Sequence, residues 1–128
     1  MIPVVFSDIQ DLIGKPYAHG ARGPEEYDCW GLCVEIYKRG GIVLPDYTVK
    51  HLTHAQTTAL ILGHAQDRAD WIVTPQNWCF VFDQRDGHIG LYYRDKVIHC
   101  ARIIGCIAQR LDEFKMLHPK TRFARWIE

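Results

Sequence analysis

The sequence predicts an α+β fold, with helices packed on one side of an antiparallel sheet. Three observations carry this. A helical apolar period is strongest in the first third of the chain. The second half breaks instead into short segments rich in aromatic and β-branched residues, with turn signals between them. Finally, 128 residues that are 48% hydrophobic and 23% charged make one ordinary globular domain over residues 1–128.

Residues 7–13 read as a short opening helix with Ser7 as its N-cap, ended by Gly14-Lys15-Pro16. A loop rich in Gly, Pro and charge follows from Tyr17 to Glu26. Such long loops in small domains often carry function. The strongest helix is Cys29–Arg39, where Cys29, Leu32, Cys33 and Ile36 form one buried stripe. Asp28 stands at its N-cap, and Lys38-Arg39 before Gly40-Gly41 gives a stop. An extended segment, residues 42–46, leaves this helix, and residues 53–68 carry a weaker helical pattern. Strands are expected at residues 77–82, 88–93, 97–101, 103–108 and 122–127.

Fifteen Lys and Arg balance fifteen Asp and Glu, so the chain lacks the basic surplus of a nucleic-acid binder. The longest apolar run, Trp78-Cys79-Phe80-Val81-Phe82, is far too short to span a bilayer. The N-terminus has neither the basic start nor the apolar stretch of a secretory signal. No nucleic-acid or membrane partner is expected, and synthesis in a cytoplasm without a signal peptide is. The five cysteines are odd in number and irregularly spaced, which argues against a disulfide framework.

Three residues form a candidate active site. Cys29 opens a helix, where unpaired N–H groups and the helix dipole favour a thiolate and lower its pKa. The alternative for Cys29, and the reading of the other four cysteines, is a buried structural thiol. A thiol nucleophile needs a base, and His88 stands at the start of His88-Ile89-Gly90-Leu91-Tyr92-Tyr93, where Gly90 leaves space on the same face. The alternative is a half-exposed edge histidine. His99 is the candidate third group that orients the imidazole. A two-residue hairpin loop at Arg94-Asp95 places His99 opposite Gly90 and on the same face as His88. A zinc site from His99, Cys100, Cys106 and His118 has suitable chemistry, but His99 and Cys100 would point to opposite faces of a strand. No metal or other cofactor is expected. Asp112-Glu113, Lys115 and Lys120 to Arg122 read as a solvated face. Trp30 is expected to point away from the buried stripe.

Asp28-Cys29-Trp30-Gly31-Leu32, His88-Ile89-Gly90-Leu91-Tyr92 and Val97-Ile98-His99 occur in that order, preceded by Gly14-Lys15-Pro16-Tyr17. Together they resemble the NlpC-type cysteine peptidases, which read Asp-Cys-Ser-Gly-Leu, His-x-Gly-x-Tyr and Ile-His-Ala. Asp-Cys-Trp-Gly-Leu, with Leu44-Pro45-Asp46-Tyr47, is similar to a phage and prophage branch tied to tail tips. The chain departs from the family in having Trp30 for Ser, Tyr17-Ala18-His19-Gly20-Ala21 for Tyr-x-Trp-Gly-Gly, and Gln76-Asn77 for the Gly-Asp before the histidine strand.

The resemblance implies a reduced papain-like fold and an enzyme that hydrolyses amides in peptidoglycan stem peptides. The bond is often the one between D-γ-glutamate and a diamino acid. Cys29 would be nucleophile, His88 general base and His99 orienting group. Tyr17 and Asp28 would line the substrate pocket, with Trp30 beside the nucleophile. It implies synthesis in a bacterial cytoplasm, incorporation into a phage tail and phage tail proteins as partners. A catalytically weak or inactive tail-assembly subunit that keeps the fold and a papain-like acyltransferase or thioesterase are the alternatives, and the enzyme readings expect a Cys29 thiol titrating below the usual range.

Overall fold

The computed structural model describes residues 2–46 and 69–127. The helical pattern read at residues 53–68 lies outside them.

Residues 7–13 do not form one α-helix. The chain makes two 3₁₀ turns instead, Phe6–Asp8 and Gln10–Leu12. Ser7 lies inside the first turn rather than capping it. α1, Cys29–Arg39, has the expected bounds. Asp28 caps it, its carboxylate accepting from the Gly31 amide at 2.6 Å. Gly40 closes it without a side chain, because a Cβ there would sit 2.4 Å from Cβ of Ile2.

Six strands follow: β1 (Ala69–Ile72), β2 (Phe80–Asp83), β3 (Ile89–Tyr93), β4 (Lys96–Ala101), β5 (Gly105–Arg110) and β6 (Thr121–Trp126). They pair antiparallel in the order β1-β6-β2-β3-β4-β5. β1 has no counterpart in the sequence reading, since Ala69-Asp70-Trp71-Ile72 is short and half charged or small. β2 starts three residues later than expected, because Trp78 turns the chain with φ 67°. β5 also starts later. Ile103 and Ile104, apolar yet exposed, belong to the turn before it.

A second helix, α2 (Leu111–Leu117), falls in the stretch read only as charged surface. Asp112, Glu113, Lys115, Lys120 and Arg122 are indeed exposed, while Leu111 and Phe114 point inward at helical spacing.

The sheet is covered on both faces. Cys33, Ile36 and Tyr37 of α1 pack with Phe80, Phe82, Leu91, Ile98 and Cys100. On the other face Leu111 and Phe114 of α2 pack with Val81, Val97 and Phe123. Alternate residues of β2 and β4 divide between these two clusters, as the pleat requires. Trp30 belongs to the first, 3% exposed with its ring centroid 5.9 Å from that of Phe80. It does not point away from the core, because its indole N–H finds the Pro45 carbonyl at 2.9 Å.

Candidate active site

β3 and β4 are joined by the two-residue loop Arg94-Asp95, both with positive φ, at 45° and 66°. That is a primed turn, whose twist matches the strands it joins. It sets the register Gly90↔His99, so the diagonal placement of His88 and His99 expected from strand parity is present. Gly90 is required there, since a Cβ would lie 2.7 Å from Cβ of His99.

The two rings meet edge to face, with Nε2 of His88 2.6 Å from Nδ1 of His99. Nε2 of His99 in turn lies 2.9 Å from Oε1 of Gln109. These contacts dictate the proton positions. Gln109 Oε1 only accepts, so His99 carries its proton on Nε2 and offers the Nδ1 lone pair. His88 must then donate from Nε2, leaving its own Nδ1 as the basic nitrogen. Burial pushes His99 down to about 4 against the opposing Gln109 bond, so it stays a neutral acceptor at pH 7.

This has a stability consequence. The unfolded chain binds a proton at His99 near pH 6.5 and the folded chain only near 4. Stability contributed above pH 6.5 is therefore lost as pH falls from 6.5 towards 4, up to about 3 kcal/mol. Urea unfolding of wild type and His99→Asn at pH 7 and pH 4.5 checks it. The gap between the two proteins should shrink at the lower pH, and an unchanged gap excludes the linkage.

Cys29 and His88 line one open cleft of about 370 Å³ with Tyr17, Asp86, Cys100, Ala101, Arg102 and His118. Backbone N–H groups of Ile89 and Trp30 point to the Cys29 sulfur. The thiol is nevertheless buried, 9% exposed, and its ionisation differs from the expectation at a helix N-terminus. Loss of water, then the adjacent Asp28 carboxylate, push it up to about 12, and the nearby amides offset only part of this.

The other four cysteines are likewise buried free thiols. Cys100 and Cys106 face each other across β4 and β5, and the Cys100 thiol donates to the Tyr27 carbonyl at 3.3 Å. His99, Cys100, Cys106 and His118 do not converge on one point. The one grouping of metal-ligating side chains among the described residues shares only His118 with them.

Of the expected substrate residues, Tyr17 lines the cleft, whereas Asp28 and Trp30 are not among the lining residues. Asp28 is 4% exposed and holds the loop before α1 together. It accepts from the Gly20 amide at 3.1 Å and pairs with Arg22 at 2.8 Å, while Arg22 also reaches Asp46 at 2.6 Å.

Sequence reasoning missed Gln109, Asp86, Arg102 and the ring of Phe114 against which His88, His99 and His118 gather, and it weighed His118 only as a partner of Cys100 and Cys106. Strand parity contained a signal for Gln109. His99 pairs with Ile107, which puts Gln109 two residues along on the same face.

The sequence profile of the NlpC/P60 family matches residues 14–123. The chain belongs to this family. The match includes Cys29, His88, His99 and Gln109. A curated relative, "Probable endopeptidase p60" of Listeria seeligeri, is 30% identical over 90 residues, which is 69% of this chain and 15% of the relative. The chain thus spans only a small part of that protein.

Solved structures share the fold. The NlpC/p60 domain of the peptidoglycan hydrolase SagA superposes with a TM-score of 0.63 at 17% identity, covering 94% of both chains. A Staphylococcus aureus protein described as similar to lipoprotein of the NLP/P60 family gives 0.63 at 21%, over 95% of this chain and 40% of that one. NlpC1 of Trichomonas vaginalis gives 0.61 at 20%, over 94% and 42%. The antiparallel sheet with α1 and α2 is therefore the α+β, papain-like fold of this family. No helix among the described residues is long and apolar enough to cross a membrane.

Proposed function

We propose that this domain is a cysteine peptidase that hydrolyses an amide bond in peptidoglycan stem peptides. The observation that carries the reading is the His88–His99–Gln109 chain, which leaves a basic nitrogen on His88 in the cleft shared with Cys29. Membership of a family with a relative called an endopeptidase, and a fold neighbour called a peptidoglycan hydrolase, supports the substrate class.

The chemistry follows from the protonation pattern. Because the buried thiol holds its proton tightly, S–H transfer to His88 Nδ1 accompanies attack of sulfur on the amide carbonyl carbon. Backbone N–H groups at the start of α1 receive the oxyanion. His88 returns the proton to the departing amine as the C–N bond breaks, leaving a thioester. Water, deprotonated by His88, then attacks the thioester, giving a carboxylic acid and the restored thiol. Neutral His99 accepts the hydrogen bond from the His88 imidazolium throughout.

Delivery by a phage or prophage tail, after synthesis in a bacterial cytoplasm, accounts for the Asp-Cys-Trp-Gly-Leu variant. Trp30 bonds Pro45 of the second motif that resembles that branch, which joins the two motifs in the structure. A second reading, a tail-assembly subunit with weak or no catalysis, is favoured by burial holding the Cys29 thiol protonated, its pKa pushed up to about 12.

Digestion of purified muropeptides by wild type and Cys29→Ala, read by mass spectrometry, separates the two. Stem-peptide fragments are expected with wild type only. Intact muropeptides with both proteins, together with binding to a tail protein, establish the assembly reading instead.

A further inference from the structure

Asp83 ends β2 with a carboxylate that is 0% exposed. Its Oδ1 accepts from the Arg85 amide at 2.7 Å, but Oδ2 makes no hydrogen bond. That oxygen faces Nδ1 of His118 at 3.4 Å, and Oδ2 of Asp86 faces the same nitrogen at 3.2 Å. One donor atom from each residue falls within 4.8 Å of the others. A carboxylate oxygen removed from water without a donor is costly, and a positive partner relieves it. His118 supplies at most one positive charge against two carboxylates.

We propose that Asp83, Asp86 and His118 form a divalent-cation site of the zinc type, set against the back of His88. The spacing fits. Ligand atoms about 2.0–2.1 Å from a tetrahedral zinc lie about 3.3–3.4 Å apart. One imidazole and two carboxylates also suit a borderline or hard divalent ion, and no thiolate takes part. The imidazole is already oriented, its ring stacked on Phe114 at 4.4 Å and on His88 at 5.1 Å. Asp86 and His118 also line the cleft, which gives an ion a path in and a fourth position for water or substrate.

The site acts on the base through two contacts. Asp86 turns its other oxygen, Oδ1, to the backbone N–H of His88 at 2.8 Å, and the His118 ring covers the His88 ring. An ion holding Asp86 and His118 fixes both supports, as outer groups orient ligands and bases elsewhere. Asp83, Asp86 and His118 are positioning residues in this role. Cation binding itself goes beyond the peptidase reading and holds whether or not Cys29 turns over a substrate.

The test is titration of the reduced, chelator-treated full chain with Co²⁺, followed by its visible absorption. One equivalent is expected to give the d–d bands of a low-coordinate ion without thiolate charge-transfer absorption, and Zn²⁺ should displace it. Asp83→Asn and His118→Gln should each weaken binding at least about tenfold, with circular dichroism verifying the fold. Cys29→Ala should bind as wild type does. The proposal is overturned by absence of the bands, by wild-type affinity in both ligand variants, or by loss of binding in Cys29→Ala, which would move the ion to the thiol. Cobalt bound as expected by a chain that leaves muropeptides intact refutes the peptidase reading alone.

Discussion

Replacing His88 with alanine is expected to lower turnover of a stem-peptide substrate by at least about 10³-fold. The reason lies in Cys29. With its ionisation pushed up to about 12, only about one thiol in 10⁵ is a thiolate at pH 7 without help. A base in the same cleft is then a requirement rather than an accelerator. The variant's residual rate should climb with pH through the alkaline range, because the sulfur must ionise alone. Steady-state kinetics from pH 6 to 10 checks both points. A His88→Ala protein within tenfold of wild type, or one with a flat profile, would falsify His88 as the base.

The second large effect belongs to Asp28, and it has two opposite signs. Asp28→Ala removes the α1 cap, the Gly20 bond and the Arg22 partner together. The expected loss is about 2–4 kcal/mol, measured by chemical denaturation. Asp28→Asn keeps an acceptor for the cap and should lose less. The same change removes the negative charge that raises the Cys29 thiol, so Asp28→Asn should be alkylated faster by iodoacetamide at pH 8. A variant that is as stable as wild type, or alkylated more slowly, contradicts the assignment of Asp28 as a clamp that opposes thiolate formation. This role differs from the substrate-lining one that family resemblance implies.

What could be read in advance follows the range of the interactions. α1 is legible because its stripe, its cap and its stop are all local. The His88–His99 pair is legible because a two-residue loop and the pleat settle which residues share a face. Three things depended on distant partners. Leu111 and Phe114 mark α2 only once Val97 and Phe123 are known to lie beneath them. β1 exists because β6 offers it an edge, not because Ala69-Asp70-Trp71-Ile72 favours a strand. The ionisation of Cys29 depends on how completely the surrounding chain excludes water, which the helix N-terminus alone does not reveal. For the same reason Trp30, placed next to the nucleophile in sequence, turns out to be part of the core.

The outer edge of β5 is occupied at Cys106, whose carbonyl accepts from Gly14 at 2.8 Å and whose amide donates to Lys15 at 2.9 Å. The residues that do this immediately precede Tyr17, so the cleft wall and the sheet margin are one continuous piece of chain. A wall anchored in this way resists swinging aside as a door, because displacement strips hydrogen bonds from a strand and bares an adhesive rim. On the peptidase reading proposed above, the substrate would meet a cleft whose Tyr17 side is already held in place.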